Sequence, residues 1–315
     1  MTQILALSGG IGGAKLALGL QQVLPPGALT VAVNTGDDFE HLGLAISPDI
    51  DTVTYTLGGV SNLELGWGRA GDSWNFMAEI ERLGGESWFR LGDKDLAVHI
   101  ERTRRLAAGE SLAAITADFA RRFQIVSRIV PMTDDLVRTM VVTDEGTLDF
   151  QHYFVARRCE PAVKSLAYAG AADALLAPEI AQLLEQLTLH AIIICPSNPW
   201  LSVAPMLEIP AWRDALREAH VPVIAVSPLI GGQAVKGPTA KVMQDLQLEV
   251  SSAAVAQYYD GLIDGFVLDT ADAHLAAEIG VATHVTGTLM KTPADKQRLA
   301  REVLQFAESF RSIKL

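Results

Sequence analysis

Ile4-Leu5-Ala6-Leu7-Ser8-Gly9-Gly10-Ile11-Gly12-Gly13-Ala14-Lys15 is the stretch on which the fold class turns. Ile4–Ser8 reads as a strand. Ala14–Leu24 reads as a helix that stops before Pro25-Pro26-Gly27. The glycines between them let backbone approach an anion closely, and a helix amino end adds unpaired N–H groups and partial positive charge. No Gly-Lys-Ser/Thr follows, so this is not a Walker A loop. Lys15 stands where the dinucleotide fingerprint needs its third glycine. The strand–turn–helix placement favours a phosphate or nucleotide site; a plain tight turn is the alternative.

The same rhythm continues outward. Thr30–Val33, Ala191–Cys195, Val221–Val226, Phe266–Leu268 and Val281–Val285 are short apolar runs rich in β-formers. Helical stretches alternate with them at Ala211–Ala219, Pro238–Leu246, Ala271–Ile279 and Pro293–Phe310. This predicts a mainly parallel sheet covered on both faces, a three-layer α/β core with ligands at the carboxyl ends of its strands. The middle differs. Asp72–Leu83, Asp93–Ala107 and Ser111–Phe123 read as helices, and Leu136–Thr143 with Thr147–Ala156 as a hairpin turning at Asp144-Glu145-Gly146. Residues from about 60 to 165 are therefore expected to form a mostly helical insertion with a β-hairpin. No linker isolates it, so 1–315 reads as one domain.

Composition removes other classes. Lys and Arg number 25 against 37 Asp and Glu, a net charge of −12, and apolar residues make up 49%. The acidic balance disfavours nucleic acid and anionic membrane as partners. The longest apolar run, at Ala191–Cys195, is too short to span a bilayer. No Lys or Arg precedes Lys15, so a signal peptide's basic head is missing. Two cysteines, Cys159 and Cys195, give no disulfide framework and suit a reducing cytoplasm.

Further loops carry chemistry. Asn34-Thr35-Gly36-Asp37-Asp38 and Ser47-Pro48-Asp49-Ile50-Asp51-Thr52 place four carboxylates within fifteen residues, next to the glycine loop. Mg²⁺ favours one or two carboxylates plus phosphate oxygens, and metal-assisted phosphoryl transfer needs this pairing. Helix capping by Asp49 and turn formation by Asp37 are the structural alternatives. Cys195-Pro196-Ser197-Asn198-Pro199 is either a nucleotide contact or a proline-stiffened turn. Ser227-Pro228-Leu229-Ile230-Gly231-Gly232, running to Lys236, suits an anion, though a loop lysine is more often solvated. Pro131-Met132-Thr133-Asp134-Asp135 sets two acids before the hairpin, and Trp88-Phe89-Arg90 sets aromatic and basic groups before Leu91-Gly92-Asp93-Lys94-Asp95.

Taken in chain order, these seven segments resemble the 2-phospho-L-lactate transferase family of coenzyme F-420 biosynthesis. The resemblance implies transfer of a phospholactyl-type group, 2-phospho-L-lactate or phosphoenolpyruvate, from a guanosine-diphosphate-linked donor. The acceptor would be the ribityl hydroxyl of the deazaflavin Fo, with GMP leaving and Mg²⁺ required. It also implies a Rossmann-like α/β core with a mostly helical insertion, and a homodimer. Catalytic roles fall on Asp51 and Asp37, and Fo contacts on Asp51, Arg90 and Asp134. Nucleotide and phosphate contacts fall on Gly10, Ile11, Gly12, Gly13, Ser197 and Asn198, and metal binding on Asp37, Asp38 and Asp49. Arg90 stands where some members carry Lys, which changes hydrogen-bond geometry. A related gluconeogenesis-factor family of nucleotide-sugar-binding regulators shares the glycine loop, the Met-Thr-Asp turn and Ser-Asn-Pro. Ser47–Thr52 with Tyr55–Gly59, and Arg90–Asp95, favour the transferase.

Overall fold

Apolar side chains on both faces of every central strand dictate a sheet buried between two layers. Leu5 and Leu7 enter one core with Ile192, Ile194 and Ala225. Ile4 and Ala6 enter the other with Val31, Val33, Ile193 and Val226. The computed structural model describes residues 3–235 and 237–310. Lys236, weighed above as an anion contact, lies outside them.

Seven parallel strands form the sheet: β1 (Gln3–Ser8), β2 (Leu29–Val33), β3 (Arg128–Pro131), β4 (Leu189–Ile194), β5 (Val223–Val226), β6 (Gly265–Asp269) and β7 (Ala282–Thr286). Their spatial order is β7-β6-β5-β4-β1-β2-β3, and every neighbouring pair is parallel. The order reverses between β1 and β4. Strand ends diverge at such a switch point and open a crevice. The expected doubly wound α/β core is what the chain forms.

Helix α1 (Gly10–Val23) starts inside the glycine loop, four residues before the expected Ala14. It packs between α2 (Pro48–Leu57) and the C-terminal helix Pro293–Glu308. The helices α3 (Asn75–Arg82), α4 (Asp93–Ala107) and α5 (Leu112–Arg122) follow, close to expectation. Thr270–Glu278 is a 3-10 helix rather than an α-helix.

The insertion departs from its expected outline. The chain re-enters the main sheet at β3, inside the stretch from 60 to 165, and pairs with β2. Its four residues were too few to stand out as an apolar run. The hairpin is real, but its second strand ends at Asp149, and His152–Ala156 coils into a π-helical turn. A third strand, Val163–Ala169, completes this small antiparallel sheet against Arg138–Thr143. Both cysteines are free. Among the described residues no helix is long and apolar enough to cross a membrane.

Candidate active site

The carboxyl ends of β1, β2, β4 and β5 converge on a cavity of about 690 Å³. Its floor is the glycine loop. Gly10 takes a left-handed φ of +61°, which lets the chain turn straight from strand into helix. Gly12 lies so near β4 that a Cβ there would stand 2.3 Å from the Pro196 carbonyl oxygen. Ser197 ties the two loops together. Its hydroxyl accepts from Gly9 N (3.0 Å) and donates to Gly9 O (2.8 Å). Ser197 and Asn198 line the cavity as expected. Ser197 Oγ, however, serves the loop, and Asn198 Oδ1 accepts from Trp200 N (3.0 Å) and Leu201 N (3.1 Å).

The acidic loops supply the polar wall. Asn34 shapes the first loop: its Oδ1 accepts from Gly36 N (2.9 Å), and Asp38 N closes the turn on Thr35 O (3.1 Å). Asn34 Nδ2 then donates to both Asp37 Oδ1 (3.2 Å) and Asp49 Oδ2 (3.0 Å). Asp49 Oδ1 accepts from Gly10 N at 2.5 Å. Asp49 therefore takes an N–H of the glycine loop and does not cap its own helix. Asp37 and Asp49 are the only carboxylates lining the cavity among the described residues.

Burial pushes Asp37 well above the ordinary carboxylate range, and the charges of Asp49 and Asp38 push it further. Burial lifts Asp49 to about 6, against hydrogen bonds from Asn34, Gly10 and Ser202 that favour its charge. Among the described residues no three His, Cys, Asp or Glu side chains gather as a metal cage.

Three of the expected residues stand elsewhere. Asp38 follows Asp37 directly, at the end of the turn that its N–H closes on Thr35 O, and is held by the second acidic loop. Its Oδ2 accepts from Ser47 Oγ (2.7 Å), its Oδ1 is buried without a partner, and it does not line the cavity. Asp51 sits two residues after Asp49 on α2, which rotates it by about 200°. It faces inward and pairs with Arg102 of α4 through both oxygens. His99, Asp95 and Tyr55 complete this buried cluster. Asp134 is exposed and accepts from Ala113 N (2.8 Å), capping α5. Its short side chain captures an unpaired first-turn N–H, the ordinary work of a capping carboxylate.

Arg90 does reach the cavity, with its guanidinium over the Trp74 ring, 4.6 Å from the centroid. Beside it Trp67, Trp88 and Phe89 form an aromatic wall, backed by Phe39 at 4.8 Å from the Phe89 ring. Sequence reasoning missed Trp67, Gln151, Phe154 and Thr288, all cavity-lining. They belong to no motif, and only chain folding brings them in.

Burial of Asp38 has a stability consequence. Its carboxyl is lifted to about 7, mainly by burial, against about 3.9 in an unfolded chain. Below about pH 4 it is protonated in both states. Above that the folded state holds the extra proton, so stability is lost as pH rises through 7. Asp38→Asn is expected to melt several degrees above the parent at about pH 8 and level with it near pH 4. A gap of equal size at both pH values would refute the assignment.

Fold and cavity together define a doubly wound α/β protein with a glycine-rich loop and two buried carboxylates at its switch point. A family model described as "2-phospho-L-lactate transferase CofD" matches residues 4–304. The chain belongs to this family of transferases. It is 38% identical to a protein of Streptomyces griseus named phosphoenolpyruvate transferase, over 98% of this chain and 100% of that one. A protein of the same name from Kitasatospora aureofaciens is 40% identical over 98% of this chain and 99% of its own length. A 2-phospho-L-lactate transferase of Methanosarcina mazei is 36% identical over 96% of this chain and 99% of its own. A crystal structure of a UPF0052-family protein from Bacillus halodurans superposes with a TM-score of 0.62. It covers 96% of this chain and 99% of that one at 12% identity, a likeness of fold.

Proposed function

We propose that the protein transfers a phosphorylated three-carbon acid from a guanosine-diphosphate-linked donor to the ribityl hydroxyl of the deazaflavin Fo, releasing GMP in coenzyme F-420 biosynthesis. The observation that carries this reading is the pair Asp37 and Asp49, set beside a glycine-rich helix start in a cavity with an aromatic wall. A nucleotide diphosphate needs backbone N–H donors and charge neutralisation. A planar tricyclic acceptor needs aromatic faces, which Trp67, Trp88 and Phe89 offer.

The two carboxylates fit Mg²⁺. Each is buried; burial opposes the ionisation of both, and at Asp37 the Asp49 charge adds to it, a cost that a divalent cation offsets. Two carboxylates plus donor oxygens and water make a Mg²⁺ site of ordinary composition. When bound, Mg²⁺ neutralises charge on the phosphate oxygens. The chain does the rest. Asn34 holds both carboxylates in register, and the first turn of α1 binds the diphosphate through its N–H groups. Arg90 and the aromatic wall orient the acceptor. The acceptor oxygen forms a bond to the phosphorus that carries the acid as the bond from phosphorus to the GMP oxygen breaks. The hydroxyl proton passes to a cavity carboxylate or to water, and a loose transition state asks little of that base.

The relatives at 38% and 40% identity bear the name phosphoenolpyruvate transferase, which supports the enolpyruvyl donor over the lactyl one. Purified protein given Fo and each donor in turn decides this by mass spectrometry, since the two products differ by a pair of hydrogens. Failure to bind Fo, together with tight binding of a uridine nucleotide-sugar, would overturn the transferase reading. Gel filtration with light scattering tests the expected homodimer.

A further inference from the structure

We infer that Gln151 is a positioning residue that holds the Asp37 carboxylate in the orientation that receives the cation. This rests on the reading of Asp37 and Asp49 as a Mg²⁺ pair. Gln151 is 5% exposed, lines the cavity, and its Nε2 donates to Asp37 Oδ2 at 3.2 Å. Asn34 donates to the other oxygen, also at 3.2 Å. The plane of the carboxylate is thus held at two points by neutral amides. A lysine or arginine in either place would cancel the charge that a cation needs; an amide orients it and leaves it in place.

Gln151 is itself held firmly. It stands between the strand Gly146–Asp149 and the π-turn His152–Ala156, which Arg157 N closes on His152 O at 2.8 Å. Phe150 is buried in the core and stacks on Phe154, with ring centroids 5.5 Å apart and planes 9° apart. On the far side the His152 ring lies 4.4 Å from Trp88 of the aromatic wall. The small sheet is also tied to the acidic loop, where Thr139 N donates to Gly36 O at 2.6 Å. Single π-turns are uncommon and concentrate at functional sites. Here the turn brings a cavity amide and a cavity aromatic to one spot. The inserted sheet, which no motif marks, thereby reaches the reaction centre.

Partners that orient a metal-binding side chain are worth about 10–100-fold in metal affinity. Gln151→Met keeps the length and loses the donor. Titrated with Mn²⁺ alone in a calorimeter, it is expected to bind at least about tenfold more weakly than the parent, with an unchanged melting temperature. In turnover assays the Mg²⁺ concentration for half-maximal rate should rise while the rate at saturating Mg²⁺ is largely kept. A purely structural role would lower stability and leave that concentration where it was. Gln151→Asn, too short to reach Asp37, reads the same effect if the Met variant fails to fold. Unchanged Mn²⁺ affinity in a folded variant of an active, Mn²⁺-binding parent would overturn the role of Gln151 alone. A parent that neither binds Mn²⁺ nor transfers the group would overturn the functional reading beneath it.

Discussion

Arg102→Leu is expected to destabilise the protein by about 3–5 kcal/mol, the usual cost of leaving one member of a buried ion pair alone. Arg102 is 1% exposed and meets both oxygens of Asp51, itself 6% exposed. It also touches His99 Nδ1 at 3.2 Å and donates to Ala45 O at 3.4 Å. Leucine fills part of the space and leaves the Asp51 carboxylate buried without a counter-charge. Chemical denaturation of the two proteins side by side measures the loss. Adding Asp51→Leu to the variant should recover part of it, because two apolar groups need no partner. A loss under about 1 kcal/mol, the size of an exposed pair, would show that the pair is not a structural anchor between α2 and α4.

Asp49→Asn is expected to lower kcat/KM for transfer by about 10²–10⁴-fold, the range of a lost charge-stabilising or acid–base group. The variant keeps the shape of the side chain but removes a charge that faces the cavity. It also sets an amide N–H₂ against the Asn34 amide, which now donates to Asp49. Stability should change little, because relief of a buried charge, whose carboxyl burial lifts to about 6, is offset by the lost acceptor for Asn34. Phosphodiester product measured at saturating Mg²⁺ gives the rate. Asp37→Asn should behave alike. Asp51→Asn provides the contrast: it should lower the melting temperature, while its folded fraction keeps most of its turnover. Near-normal turnover in Asp49→Asn and Asp37→Asn would remove both carboxylates from the mechanism.

Much of the core was legible because its signals are local. Short apolar runs rich in β-formers, such as Ala191–Cys195, favour interior strands, and alternation with helices favours a parallel sheet. β3 escaped because four residues carry little periodicity. The third strand of the small sheet escaped because most of Val163–Ala169 is exposed, so it lacks a strong apolar pattern. The carboxylate cluster was visible as a cluster, but its members were not separable. Asp37, Asp38, Asp49 and Asp51 are alike in charge and spacing. Which of them face the cavity depends on backbone turns and on the phase of α2.

The chain by itself therefore determined the doubly wound class, the end of the sheet where the cavity opens and the loops that surround it. Each follows from interactions within a few residues: strand burial, a glycine turn, a helix amino end. Tertiary structure alone decided the division of labour. Arg102, about fifty residues away, draws Asp51 into a buried pair. Ala113 draws Asp134 into a cap. Asn34 and Gln151 leave Asp37 in the cavity and hold it there. A carboxylate goes to its strongest available partner, and partners that distant in sequence meet only when the chain is folded.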